Sequence, residues 1–243
     1  MLTSLWVAYP LYSSATEAGD YSSSSWKYYT EDETYNETGF GIPVDYQVNV
    51  VDHSYGVNVG STDHEGYDDG LNKYARGHQV PNADRKNFKS FNRQTYYVIN
   101  STPQIQNGFN SGVWNTLEGE IRKAIPANDT VYVATGPAFQ KGSEPQDIVW
   151  ITPQDDNKPC PVPNYYWKVL LKVKRDGSGN VTSASSVGFW FEHRVYSDDP
   201  YSNYAVSVDQ IEQWTGFDFF TNLPDSVESS AETNSSWSTF TGF

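Results

Sequence analysis

The chain has 243 residues and a net charge of −14, with 37% apolar, 16% aromatic and only 19% charged residues. Such acidity argues against holding nucleic acid by bulk charge alone, and 18 Tyr with 8 Trp exclude the disordered class. Cys160 is the sole cysteine, so no intrachain disulfide forms, and no run approaches the roughly eighteen apolar residues of a membrane span.

No internal repeat and no linker composition divides the sequence, so a single domain over residues 1–243 is expected. The start, Met1-Leu2-Thr3-Ser4-Leu5, lacks the charged-then-apolar layout of a signal peptide. Two readings stay open, a cytosolic protein or one whose signal has been removed, and the polar Tyr-, Ser-, Thr- and Asn-rich character favours the second, a secreted or periplasmic protein. The charge is unevenly spread. Lys73, Arg76, Arg85, Lys86, Lys89 and Arg93 form a positive island interrupted by one acid, Asp84, whereas Lys27 is the only basic residue before Lys73.

In chain order, residues 5–11 read as a strand ending at Pro10. Residues 12–46 lack periodicity, and residues 47–51 suggest a short strand. Residues 52–73 carry His53, Asp63, His64, Glu65, Asp68 and Asp69. Their oxygen-rich composition would suit a hard cation, but the spacing matches no established loop and reads as a solvated surface loop.

The β-branched and aromatic run 95–102 predicts a strand stopped by Pro103. Residues 109–124 carry the strongest helical period. Val113, Trp114, Leu117, Ile121 and Ala124 fall within roughly 60° of Asn110 on a helical wheel, and Pro126 closes the helix. Strands follow at 130–135 and 165–173. The turn Asp176-Gly177-Ser178-Gly179-Asn180 leads to a hairpin partner at about 183–195. Ser207 and Gly216 bracket a short helix, and another is expected from Pro224 to about Glu232. The polar tail 233–243 carries Trp237, Phe240 and Phe243, which can dock on the body.

Three features carry chemistry. Asn110 lies on the apolar stripe of its helix. It reads as an N-cap, as a buried amide bonded to backbone, or as an oxygen ligand for Mg²⁺, and from the helix alone the cap is the plainer choice. Glu118 and Arg122 are one turn apart and read first as an i,i+4 ion pair, or else as a residue orienting water on a metal and a phosphate contact. His78 follows Arg76-Gly77. The glycine permits close approach, the arginine suits phosphate, and a neutral imidazole can take a proton from water. Asp84, His64 and His193 are alternative bases without comparable surroundings.

Together these segments resemble a known family. Arg76-Gly77-His78-Gln79-Val80-Pro81, Asn100-Ser101-Thr102-Pro103-Gln104, and Asn110 followed by Glu118 and Arg122 are similar to motifs of the DNA/RNA non-specific endonucleases of the ββα-metal superfamily. Further similarity lies in Leu5–Tyr9, Val131–Pro137, Val162–Val173 and Thr215–Pro224; residues 12–72 lack clear correspondence.

The resemblance implies an α+β fold, a central mostly antiparallel sheet flanked by helices. Its ββα-metal element would be built from the 73–81 region, the 95–102 strand and the 109–124 helix. It further implies a metal-dependent, sugar-non-specific endonuclease, a phosphodiester hydrolase acting on DNA and RNA. His78 would be the general base and Asn110 the sole protein ligand of a hydrated Mg²⁺, with Mn²⁺ or another divalent ion as substitute. Glu118 would hold waters on that metal, and Arg76 and Arg122 would lie near the scissile phosphate. Products would carry 5′-phosphates, and an inhibitor or immunity protein is an expected partner.

Two departures stand out. Ala75 occupies the place of the family's usual Asp, and no arginine precedes Arg76, which leaves Lys27 as the one candidate substitute. They motivate a competing expectation, an exported binding module with a decayed nuclease site that holds glycan or protein through Tyr and Trp. A third expectation is a Ca²⁺-binding surface protein based on residues 52–69.

Overall fold

A computed structural model describes residues 4–17, 26–29, 46–48, 74–125, 129–151 and 158–243. The expected 52–69 cation loop, His64, Lys73 and Pro126 lie outside the described residues, as does most of the expected 47–51 strand; Gln47 and Val48 themselves are not in a strand.

The centre is a five-stranded antiparallel sheet of order β1-β4-β7-β8-β9. Its strands are β1 (Val7–Tyr12), β4 (Thr130–Ala138), β7 (Tyr165–Arg175), β8 (Val181–Glu192) and β9 (Ala205–Val206). Strand β1 runs through Pro10, opposite Tyr132. That is tolerated because β1 is an edge strand. The β7–β8 hairpin closes where Asp176 accepts the backbone N–H groups of Ser178 and Asn180, each at 2.9 Å.

Alternation along β7 sorts its residues between the faces. Tyr166 and Leu170 join Phe109, Trp114, Leu117, Ile121, Val187, Phe189 and Phe191 in the larger core. Tyr165, Trp167 and Val169 join Trp190, Val208 and Ile211 behind the sheet. The strands therefore supply apolar groups to both sides, and each face is covered by helices.

A separate ribbon pairs β2 (Tyr74–His78) with β3 (Ser101–Ile105), Tyr74 opposite Ile105 and His78 opposite Ser101. The expected 95–102 strand starts late. Val98–Asn100 forms a 3-10 turn because the Asn100 amide takes up local backbone groups: Oδ1 accepts from Val80 N, and Nδ2 donates to Val80 O and Thr95 O, all at 3.0 Å. Pro103 does not end β3 but pairs with Arg76 inside it, since a two-stranded ribbon has open edges where proline is tolerated. Two further short strands, β5 (Trp150–Ile151) and β6 (Cys160–Pro161), pair with each other.

The helices are α1 (Ser13–Thr16), α2 (Lys89–Gln94), α3 (Asn115–Lys123), α4 (Val208–Thr215), α5 (Asp225–Glu232) and α6 (Trp237–Thr241). The expected continuous 109–124 helix is broken. Gln106–Trp114 forms irregular wide turns with non-helical dihedrals at Asn107, Gly108 and Gly112, and regular helix begins at Asn115. Helix α4 is bounded as expected, with Ser207 accepting from Gln210 N and Gly216 left-handed at φ 75°. The tail docks through Phe240, which is fully buried, and Trp237, which packs on the larger core. Among the described residues no helix is long and apolar enough to cross a membrane.

Candidate active site

The site is built on the β2–β3 ribbon. Arg76 and His78, two residues apart, project from one face of β2. Gly77 between them is required by packing, because a Cβ there would overlap the buried Gln104 side chain. The His78 ring is enclosed by aromatics, its centroid 4.6 Å from that of Trp26 and 5.3 Å from that of Tyr96. Its Nε2 is buried and has no hydrogen-bond partner. Burial pushes the imidazole down to about 4, so it is neutral at pH 7. The Arg76 guanidinium lies 5.6 Å over the Trp26 ring, so Trp26 bridges the arginine and the histidine.

The irregular stretch after β3 carries Asn110, which is half-buried. The apolar stripe instead centres on Phe109, Val113 and Trp114, all buried, because the break at Gly112 rotates the two halves. Helix α3 is capped at Trp114, so Asn110 is not the N-cap of the regular helix. The Asn110 amide nitrogen donates to Gln106 Oε1 at 3.0 Å. This fixes the amide orientation and leaves Oδ1, a hard oxygen donor, for another partner.

The first turn of α3 presents Glu118. The expected Glu118–Arg122 ion pair gives way to two longer-range pairs. Glu118 Oε1 lies 3.8 Å from Lys168 Nζ, and Arg122 Nη1 donates to Asp84 Oδ1 at 2.8 Å. The reason is positional: Lys168 rises from the middle of β7 directly beneath α3, and Asp84 stands beside the end of the same helix. Asp84 also accepts from Tyr9 Oη at 2.7 Å. It is thus an anchor for Arg122 and not a competing base.

Burial raises the Glu118 carboxyl to about 7, with Lys168 and Arg122 opposing that rise and Asp84 adding to it. Lys168 is itself buried, 4.3 Å over the Trp114 ring, and desolvation pulls its ammonium down while Glu118 holds it up. His193 is structural: its Nε2 accepts from Ile105 N and its Nδ1 donates to Pro163 O, both at 2.8 Å.

Of the five residues expected from sequence, Arg76 and His78 share one face of the ribbon. Glu118 and Arg122 share an electrostatic cluster with Asp84 and Lys168. Asn110 lies between the two in the segment that joins ribbon to helix. Lys27, the candidate substitute for the missing arginine, sits with Nζ 4.5 Å over the Tyr97 ring. Ala75 pairs with Gln104 and brings no carboxylate. The sequence pattern singles out none of Lys168, Tyr9, Trp26 and Tyr96 for the site, and it marks Asp84 only as an alternative base, not as the anchor of Arg122. Lys168 carried a signal, since a lysine in the buried run Tyr165–Val173 demands a compensating acid.

The donor set fits a hard divalent cation. Asn110 offers an oriented amide oxygen and Glu118 a buried carboxylate, the hard oxygen donors that such an ion takes.

The sequence profile of the family described as DNA/RNA non-specific endonuclease matches residues 2–226. Nuclease 1, mitochondrial, of Schizosaccharomyces pombe is 32% identical over 155 residues, 62% of this chain and 47% of that protein. A nuclease of Serratia marcescens is 31% identical over 162 residues, 65% of this chain and 55% of that protein. The chain therefore spans about half the length of the curated relatives it matches. The crystal structure of the EndoG/EndoGI complex superposes with a TM-score of 0.64 at 22% identity, covering 91% of this chain and 80% of the matched one; this likeness concerns the fold.

Proposed function

The chain belongs to the DNA/RNA non-specific endonuclease family, and from that premise we propose that it hydrolyses phosphodiester bonds of DNA and RNA with His78 as general base. The observation that carries the reading is the state of His78: neutral, with Nε2 lacking a partner, on the same ribbon face as Arg76.

A divalent cation, Mg²⁺ or Mn²⁺, would be held by Asn110 with Glu118 behind it, and when bound it supplies positive charge for the transition state and the leaving oxygen. The protein's residues do the rest. Nε2 of His78 takes a proton from the attacking water, the new P–O bond forms in line, and the bond to the 3′ oxygen breaks to leave a 5′-phosphate. The Trp26 ring lies against His78, so access to Nε2 requires that ring to shift as substrate enters. Arg76 meets the phosphate, and Arg122, held by Asp84, presents its remaining N–H groups to the same charge. Lys168 keeps the buried Glu118 within reach of its ionised form.

Phosphate and sugar contacts carry no base sequence, so cleavage is expected to be sequence-indifferent. The positive island at residues 73–93 of the sequence offers local attraction on an otherwise acidic body. We also place the protein outside the cytoplasm and expect an inhibitor protein that closes the ribbon face. The test is degradation of plasmid and of RNA across a series of divalent ions and with EDTA. Cleavage of both with Mg²⁺, abolished by EDTA, supports the reading, whereas binding without turnover under every ion contradicts it.

A further inference from the structure

On the opposite face of the sheet from His78, helices α4 and α5 bring three acids together. Carboxylate oxygens of Asp209, Glu212 and Glu232 lie within 4.8 Å of one another. Glu232 is only 7% exposed, and its Oε1 is buried with no hydrogen-bond partner. A buried carboxylate oxygen without a donor is costly, on the order of several kcal/mol if charged. The charged groups that bear most strongly on Glu232 make this worse: Glu212, Glu228, Asp209 and Asp218 are all acids.

Three carboxylates at this spacing, one of them unpartnered and aimed at the other two, leave room for a cation to meet them all. We propose that Asp209, Glu212 and Glu232 form a calcium site that clips α4 to α5, separate from the catalytic centre. Oxygens as far as 4.8 Å apart can share one Ca²⁺ at about 2.4 Å each, whereas Mg²⁺, at about 2.1 Å and with strict octahedral demands, requires them to close in. Glu212 is already held in place, since its Oε1 accepts from Phe219 N at 2.7 Å. Asp209 stands in the first turn of α4. Glu232 ends α5, whose preceding Ala231 carbonyl accepts from Ser186 Oγ in β8 at 2.8 Å. The donors therefore come from two helices docked independently on the sheet, and an ion between them would join the C-terminal segment to the body.

The experiment is a calcium titration of the EDTA-stripped 243-residue chain, followed by calorimetry and thermal unfolding. It uses wild type, Asn110→Ala to remove the proposed catalytic ligand, and Glu232→Gln and Asp209→Asn to remove the new one. The Asn110→Ala protein should still bind Ca²⁺ and gain about 5 °C or more in Tm at a hundredfold excess over Kd. Glu232→Gln and Asp209→Asn should each lose that rise or weaken binding by tenfold or more. Two different carboxylates are removed so that a folding defect in one variant leaves the other to decide. A calcium response unchanged in both variants, or absent from the Asn110→Ala protein, would overturn the site. Neither outcome depends on whether the protein cleaves nucleic acid.

Discussion

The ammonium of Lys168, rising from the middle of the sheet, stands 3.8 Å from the carboxylate of Glu118 on the helix above it. Neither group is stable there alone, and each is held near its charged form by the other. Replacing Lys168 by Met removes the principal charge opposing the desolvation of Glu118. Its carboxyl should then rise beyond about 7, and the acid limb of the kcat/KM–pH profile should move to higher pH by on the order of one unit or more. The sign for stability follows from the same shift. A carboxyl raised by folding contributes stability that is fully present below its unfolded value and is lost as pH rises through about 7. The Lys168→Met protein should thus be more destabilised at pH 8 than at pH 6 in urea unfolding. An acid limb that stays in place would remove Lys168 from this role.

His78 produces the opposite slope. Folding lowers its imidazole from 6.5 to about 4, so the unfolded chain takes up the proton first. Stability from this residue is present above about 6.5 and is lost as pH falls to about 4, by up to roughly 3 kcal/mol. Urea midpoints measured between pH 4 and 7 should fall less steeply in His78→Asn than in wild type. Parallel curves would mean that His78 is not held neutral by burial.

Trp26 is the ring that encloses His78 most closely, at 4.6 Å between centroids. Truncating it to Ala should hydrate the imidazole and bring its pKa up from about 4 toward 6.5. An NMR titration of the His78 ring protons in Trp26→Ala measures this directly. A value that stays near 4 would assign the desolvation to Tyr96 and the ribbon alone.

Arg122 depends on a buried anchor. Asp84 is 2% exposed and holds both Arg122 and Tyr9. Asp84→Asn keeps the shape but removes the charge. It should cost about 2 kcal/mol or more in stability and lower kcat/KM about tenfold or more by loosening the arginine. Arg122→Lys, which keeps the charge but loses the planar fork, should lower kcat/KM with a smaller stability loss. If Asp84→Asn leaves kcat/KM unchanged, Arg122 does not work through this anchor.

What could be read from the sequence was set by period and by punctuation. Helix α4 was legible because Ser207 and Gly216 are local signals, and the β7–β8 hairpin because an Asp-Gly-Ser-Gly-Asn turn separates two apolar runs. The break in the expected 109–124 helix was not. A glycine at 112 is compatible with helix, and only the docking of Phe109 and Trp114 in the larger core, on the same face of the sheet as α3, decides otherwise. The late start of β3 likewise depends on Asn100, whose amide prefers Val80 and Thr95 to a strand.

In the candidate site the residue identities were legible and their partners were not. Glu118 and Arg122 are neighbours on the helix, but each pairs with a residue brought from far along the chain, Lys168 and Asp84. Nor did the sequence single out Trp26, which reaches His78 from a segment without periodicity.

The claim that this site hydrolyses phosphodiesters through His78 is tested most directly by the rate of Mg²⁺-dependent plasmid nicking in wild type and His78→Ala at pH 8. Loss of about 10²–10⁴ in rate is expected for removal of a general base, with the variant still folded by its thermal unfolding curve. Nicking by the His78→Ala protein within a few-fold of wild type would contradict the assignment.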